Sequence, residues 1–195
     1  MSAGYNASLA EALGPKSSFG SALWQLGLIV AGAAVLTISA KTHVDLFAVP
    51  MTLQTLAVFA LAAAYGMRLG VATVLLYLVE GAAGLPVFAG TPEKGIGLAY
   101  MMGPTGGYLA GFVVAMALVG YAADRGFGRN PLKLGAAMLA GEAVILLLGF
   151  LWLAIAFGAE KAFAFGIGPF IATDLVKIAI AACAVPAVTA LLIRR

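Results

Sequence analysis

Six stretches of this chain are apolar for long enough to be read as membrane-crossing helices, and short polar clusters separate them. They run from about Ala22 to Ala40, Thr52 to Gly66, Val71 to Ala83, Gly107 to Ala123, Leu134 to Phe157 and Gly168 to Ile193. A helix rises 1.5 Å per residue, so about 20 apolar residues cross a hydrocarbon core of about 30 Å. The second and third stretches are short, and only the turn Met67-Arg68-Leu69-Gly70 separates them, which predicts an antiparallel helical hairpin. Residues 1–20 form a polar N-terminal segment with no continuous apolar run and no signal peptide, with a short surface helix over Ala7 to Leu13 as one reading. The pattern predicts an all-α integral membrane protein with six transmembrane helices, in one membrane domain spanning residues 1–195.

The stretch from Gly84 to Tyr108 breaks this regularity. Gly84, Pro86, Gly90, Pro92, Gly95, Gly97, Gly103, Pro104, Gly106 and Gly107 punctuate it, which is too broken a pattern for a helix. Leu85, Val87, Phe88, Ile96, Leu98, Tyr100, Met101 and Met102 nonetheless make it apolar. Irregular backbone lies at membrane depth only where protein or a water-filled cavity satisfies its polar groups. Two readings follow: an interhelical loop with apolar anchors, or a lid over residues 85–108 that folds back onto the helices and covers a site.

Composition agrees with the membrane reading: 63% of residues are hydrophobic and 10% charged, far below the usual quarter, and mean hydropathy is +1.07. A formal net charge of +3 spread over such a chain implies no nucleic-acid partner. The partner it does imply is the lipid bilayer. Lysine and arginine are retained on the cytoplasmic side of membranes. With the N-terminus inside, Lys16, Arg68, Arg125, Arg129, Lys133, Arg194 and Arg195 lie inside, against Lys41, Lys94 and Lys161 outside. Both termini are then cytoplasmic, and the glycine-rich loop lies on the outer face. The single cysteine, Cys183, excludes an intrachain disulfide and reads as a small buried hydrophobe.

Four ionisable residues fall inside the spans: Glu80, Glu142, Asp174 and Lys177. A charge at the bilayer centre costs a few kcal/mol, so each needs a partner or a task. Asp174 and Lys177 are three residues apart and share a helix face. A structural ion pair and a ligand-binding pair are both open, and the lid loop on the same side of the membrane favours binding. Glu80 is near the outer end of its span and able to join that site, whereas Glu142 reads as a hydrogen-bonding group between helices. One histidine, His43, and one cysteine support neither a catalytic triad nor a metal cluster, and no nucleotide-binding GxxxxGK[ST] occurs. No cofactor is called for. An intramembrane enzyme using Asp174, Glu80 or Glu142 as acid and base remains the alternative from a different class.

Three blocks carry a resemblance. Val49-Pro50-Met51-Thr52-Leu53-Gln54-Thr55-Leu56, Gly81-Ala82-Ala83-Gly84-Leu85-Pro86-Val87-Phe88-Ala89-Gly90, and Gly103-Pro104-Thr105-Gly106-Gly107-Tyr108-Leu109 with Gly111-Phe112 resemble the BioY family. These are the biotin-specific S components of energy-coupling factor (ECF) vitamin transporters, and the resemblance resumes from Ala172 to Lys177. It implies capture of biotin from the outer side of a bacterial cytoplasmic (inner) membrane. It also implies delivery inward with a transmembrane T component and two ATPase subunits. Asp174 and Lys177 become the polar core of the biotin site, with Phe88, Tyr100 and the methionines lining the ring and Gln54 and Glu80 as further members. The lid is carried by Gly84, Pro86, Gly90, Gly103, Pro104, Thr105, Gly106, Gly107 and Tyr108.

The family expectation of an Ala-x-x-x-Ala face on the first helix, for docking the T component, is met here only by Gly27 with Ala31 and by Ala33 with Thr37. That departure leaves open a transporter that works without a dedicated module, or one that forms a homo-oligomer.

Overall fold

The computed structural model describes residues 9–15, 17–44 and 49–193. Helix α1 (Leu9–Ala12) precedes α2 (Ser18–Lys41), and two-residue strands β1 (His43–Val44) and β2 (Met51–Thr52) pair antiparallel, His43 opposite Thr52. Then follow α3 (Gln54–Ala82), α4 (Gly97–Met101), α5 (Gly106–Asp124), a 3-10 turn (Phe127–Arg129), α6 (Pro131–Phe157), α7 (Ala159–Gly166) and α8 (Gly168–Ile193). Five helical stretches among the described residues are long and apolar enough to cross a membrane. The protein is a helical, multi-pass membrane protein. Lys16, Arg194 and Arg195, which entered the charge count, and Ala7 at the start of the expected surface helix lie outside the described residues.

Local chemistry sets the helix ends. Ser17 caps α2 by accepting the Gly20 N–H at 3.2 Å. Asn130 caps α6 by accepting the Leu132 and Lys133 N–H groups at 3.0 and 3.1 Å, with Pro131 at the first helical position. That cap starts α6 three residues before the expected Leu134, and Lys133 sits in its first turn.

The fold-back within α3 is sharper than its sequence suggests, and it occurs one residue earlier. Met67 to Gly70 are helical, and the chain reverses at Gly66, whose φ of 76° is a left-handed value that favours glycine. Gln54 Nε2 donates to Tyr77 Oη at 2.8 Å, although a continuous helix would hold residues 23 apart about 34 Å from each other. The two arms therefore run antiparallel. The Asp124 carboxylate at the end of α5 accepts the Met67 N–H at 3.0 Å and fixes the corner. The same contact gathers Arg68 and Arg125 at one end of the molecule, while Lys41 lies at the end that holds the loop 83–105.

Helices α3 and α5 are central, with 56% of each membrane-length window buried, and α2 is peripheral at 17%. The buried core includes Phe59, Val74, Tyr77, Phe112, Met116, Met138 and Ile145. Outward faces are apolar too, as with Val30 and Ile38 on α2, Leu147 and Ile155 on α6, and Val176 and Leu191 on α8. A surface of this kind suits lipid rather than water. Cys183 is exposed on α8, contrary to its reading as a buried hydrophobe, because its position falls on that outward face.

Candidate functional site

Helix α8 carries Asp174 and Lys177 into the interior, where they are 1% and 8% exposed. Lys177 Nζ donates to Asp174 Oδ1 at 2.7 Å and to the Thr52 carbonyl at 2.6 Å. Thr55 Oγ1 donates to the same Asp174 oxygen at 2.9 Å. Strand β2 and the start of α3 thus hold the pair in one orientation. Asp174 Oδ2 is buried and meets no N–H or hydroxyl donor of the protein.

That pair lines a cavity of ≈ 540 Å³, open end included, at the meeting of α3, α5, α6, α8 and two loops. Val49, Pro50 and Thr52 line it from the loop after α2, and Phe88, Ala89, Tyr100 and Thr105 from the loop between α3 and α5. Tyr77, Tyr108, Phe112, Ile145 and Phe170 complete an apolar wall. Phe88 stacks on Tyr100 with centroids 4.9 Å apart and meets Tyr77 edge-on at 5.3 Å. The Phe88 ring is seated over Gly81, where a Cβ would come within 2.0 Å of it. Tyr108 Oη donates to the Gly166 carbonyl at 2.7 Å, tying α5 to the end of α7.

The loop is held down by contacts its sequence does not announce. Lys41, at the end of α2, donates from Nζ to the carbonyls of Phe88 and Thr91 at 3.0 and 2.9 Å and to Thr91 Oγ1 at 2.8 Å. Trp152 Nε1 donates to the Gly103 carbonyl at 2.9 Å. The segment contains one helical turn, α4, where none was expected, because Gly97 at φ 65° lets the chain enter it.

The structure thus brings Asp174, Lys177, Gln54, Phe88 and Tyr100 to one cavity. Glu80 is half-buried near the end of α3 and is not among the lining residues, whereas Glu142, read as an interhelical group, is. Both Glu142 carboxyl oxygens are buried away from any N–H or hydroxyl of the protein, and the side chain that the carboxyl group meets is that of Asp174. The methionines of the loop do not line the cavity either: Met102 is 71% exposed. Of the other loop residues, Gly84, Pro86, Gly90 and Pro104 lie outside the lining. Gly106, Gly107 and Tyr108 belong to the first turn of α5, and Thr105 and Tyr108 reach the cavity. On α2, Gly27 and Ala31 are exposed, while Ala33 is buried and its carbonyl accepts the Thr37 hydroxyl at 3.0 Å. Thr52, Thr55 and Tyr77 were not singled out as site residues, although Thr52 and Thr55 fall in the block that flanks Gln54.

Known proteins resemble this chain in sequence and in fold. The BioY family model matches residues 13–194. A probable biotin transporter BioY of Pyrococcus horikoshii is 36% identical over 157 residues, covering 80% of this chain and 91% of the relative. A biotin transporter BioY of Thermotoga maritima is 37% identical over 158 residues, covering 80% and 90%. The crystal structure of the S-component for biotin from an ECF-type ABC transporter superposes with a TM-score of 0.76 at 20% identity. That superposition covers 88% of this chain and 94% of the other, and it concerns the fold. With a helical membrane architecture and a family match along nearly its whole length, this chain belongs to the BioY family.

Proposed function

We propose that this chain captures biotin and carries it across a bacterial cytoplasmic membrane as the substrate-binding S component of an ECF-type transporter. The observation that supports this most is the buried Asp174–Lys177 pair, which lines an aromatic-walled cavity in a chain of the BioY family. Biotin offers two ureido N–H donors, an accepting ureido oxygen, an apolar fused ring and a valerate carboxylate. Asp174 Oδ2, which meets no N–H or hydroxyl of the protein, suits an N–H donor. Lys177 uses two contacts on Asp174 and Thr52, and an ammonium has three donors, so one serves a ligand oxygen. Phe88 and Tyr100 suit the fused ring, and Gln54, bonded to Tyr77, shapes the wall beside them.

The arms of α3, residues 54–65 and 67–82, count as two short crossings, which makes six in one membrane domain over residues 1–195. Arg68, Arg125, Arg129 and Lys133 place their end in the cytoplasm together with both termini, and the loop 85–108 is the outer lid. The exposed pair Gly27 and Ala31 on the sparsely covered α2 is the docking face for a T component, which works with two ATPase subunits. Ala33 is buried and Thr37 half-buried, which makes them the weaker candidates. Binding without chemical change follows from this role, and the chain is not an enzyme.

Isothermal titration of the purified protein in detergent tests the proposal. One saturable site for biotin, with the ligand recovered unchanged, is expected. Absence of heat with biotin alongside saturable binding of thiamine or riboflavin overturns the substrate, and turnover of the ligand overturns the class.

A further inference from the structure

Glu142 lies on α6, six per cent exposed, on the wall of the same cavity as Asp174. Its carboxyl group comes within hydrogen-bonding reach of the Asp174 carboxyl, and neither of its oxygens meets an N–H or hydroxyl donor of the protein. Asp174 Oδ2 is in the same condition, so the cavity presents acceptors from two carboxyl groups on two different helices. One proton shared between the two carboxyl groups pairs at most two of these three oxygens, which leaves at least one acceptor for a group that the ligand supplies, since buried polar atoms in native proteins are nearly always paired.

We infer that Glu142 is a specificity-determining residue that accepts one N–H of a cyclic urea while Asp174 accepts the other. The inference rests on the biotin reading and adds to it the part of the molecule being recognised. A cyclic urea has two edges, and each presents an N–H donor beside the shared oxygen. Asp174 and Lys177, bonded to each other at 2.7 Å, offer an acceptor next to a donor and match one edge. The second N–H needs an acceptor from another direction. Within the lining, the remaining carboxyl group is Glu142. A carboxyl group keeps an accepting oxygen whether protonated or ionised, so the role holds in either state. A site built to bond a polar group rejects an analogue that lacks it, because its own buried atoms are then left unpaired.

The test is a cycle between side chain and ligand. Biotin and its two mono-N-methyl derivatives, each lacking one ureido N–H, are titrated into wild type, Glu142→Leu and Glu142→Gln, and thermal unfolding is recorded alongside. Glu142→Leu is expected to weaken biotin about 5- to 150-fold, the range for one hydrogen bond to a buried partner. One methyl isomer, costly in wild type, is expected to lose most of that penalty in Glu142→Leu, while the other keeps its penalty because it reports on Asp174. Glu142→Gln, which keeps an accepting oxygen, is expected to retain most of the affinity. Unchanged biotin affinity in a folded Glu142→Leu protein, or penalties that are equal in wild type and variant for both isomers, overturns the inference. Should Glu142→Leu not fold, the same cycle is read in Glu142→Gln, where a smaller coupling on one isomer is expected and none is contradictory. Failure of wild type to bind biotin at all is a separate result and removes the substrate reading on which the inference stands.

Discussion

Lys41→Met removes three hydrogen bonds that join the end of α2 to the loop over the cavity, while keeping most of the apolar stem. A hydrogen bond to a charged group contributes about 1.5–3 kcal/mol when shielded. Lys41 is solvent-exposed over much of its surface, water replaces part of each contact, and the three together are therefore worth about 1–2 kcal/mol. That corresponds to a roughly 5- to 30-fold rise in local opening of the loop. Hydrogen exchange reads it directly. The N–H groups of Thr91, Lys94 and Gly95 bond within the loop, to the carbonyls of Phe88, Gly90 and Pro92. Their exchange is expected to accelerate by that factor, while amides in α5 and α6 keep their rates. A uniform acceleration across all helices, or none in the loop, refutes the assignment of Lys41 as the tie.

Other changes probe the frame. Gly66→Ala is expected to lower stability by about 2–4 kcal/mol, since a positive φ costs roughly 1–2 and the displaced Asp124 loses its bond to Met67; an unchanged melting temperature contradicts the corner. Glu93→Cys in a Cys183→Ser background is expected to react with an impermeant thiol reagent in intact cells, because Glu93 is exposed at the tip of the outer loop. Reaction only after lysis reverses the orientation. Thr91 is unsuited to that experiment, being buried and bonded to Lys41.

Much of the scaffold was legible because membrane helices announce themselves by length and apolarity. The last span was read with the bounds that α8 has, and the spacing of Asp174 and Lys177 placed them on one face of it. The corner in α3 was displaced because two glycines, Gly66 and Gly70, flank Arg68, and only backbone conformation tells which one turns the chain. Lys41 was read as a loop cation because its partners lie 47 and 50 residues away, beyond any local pattern. Glu80 and Glu142 were weighted by depth along their helices, when the direction each faces around its helix decides which reaches the cavity. A signal for Glu142 was present, a carboxyl group midway along a span, and it needed only a cavity beside it.

The central claim is that Asp174 and Lys177 hold the ligand rather than merely each other, and a double-replacement cycle scored by biotin affinity and melting temperature tests it most directly. Asp174→Asn and Lys177→Met are each expected to weaken biotin by about 5- to 150-fold, one hydrogen bond to a charged group being at stake in each. The double variant is expected to recover melting temperature, since no charge is left stranded, yet to bind biotin no better than the weaker single variant. Recovery of biotin affinity together with stability in the double variant would contradict the account, because a site that uses both groups cannot regain its ligand when both are gone.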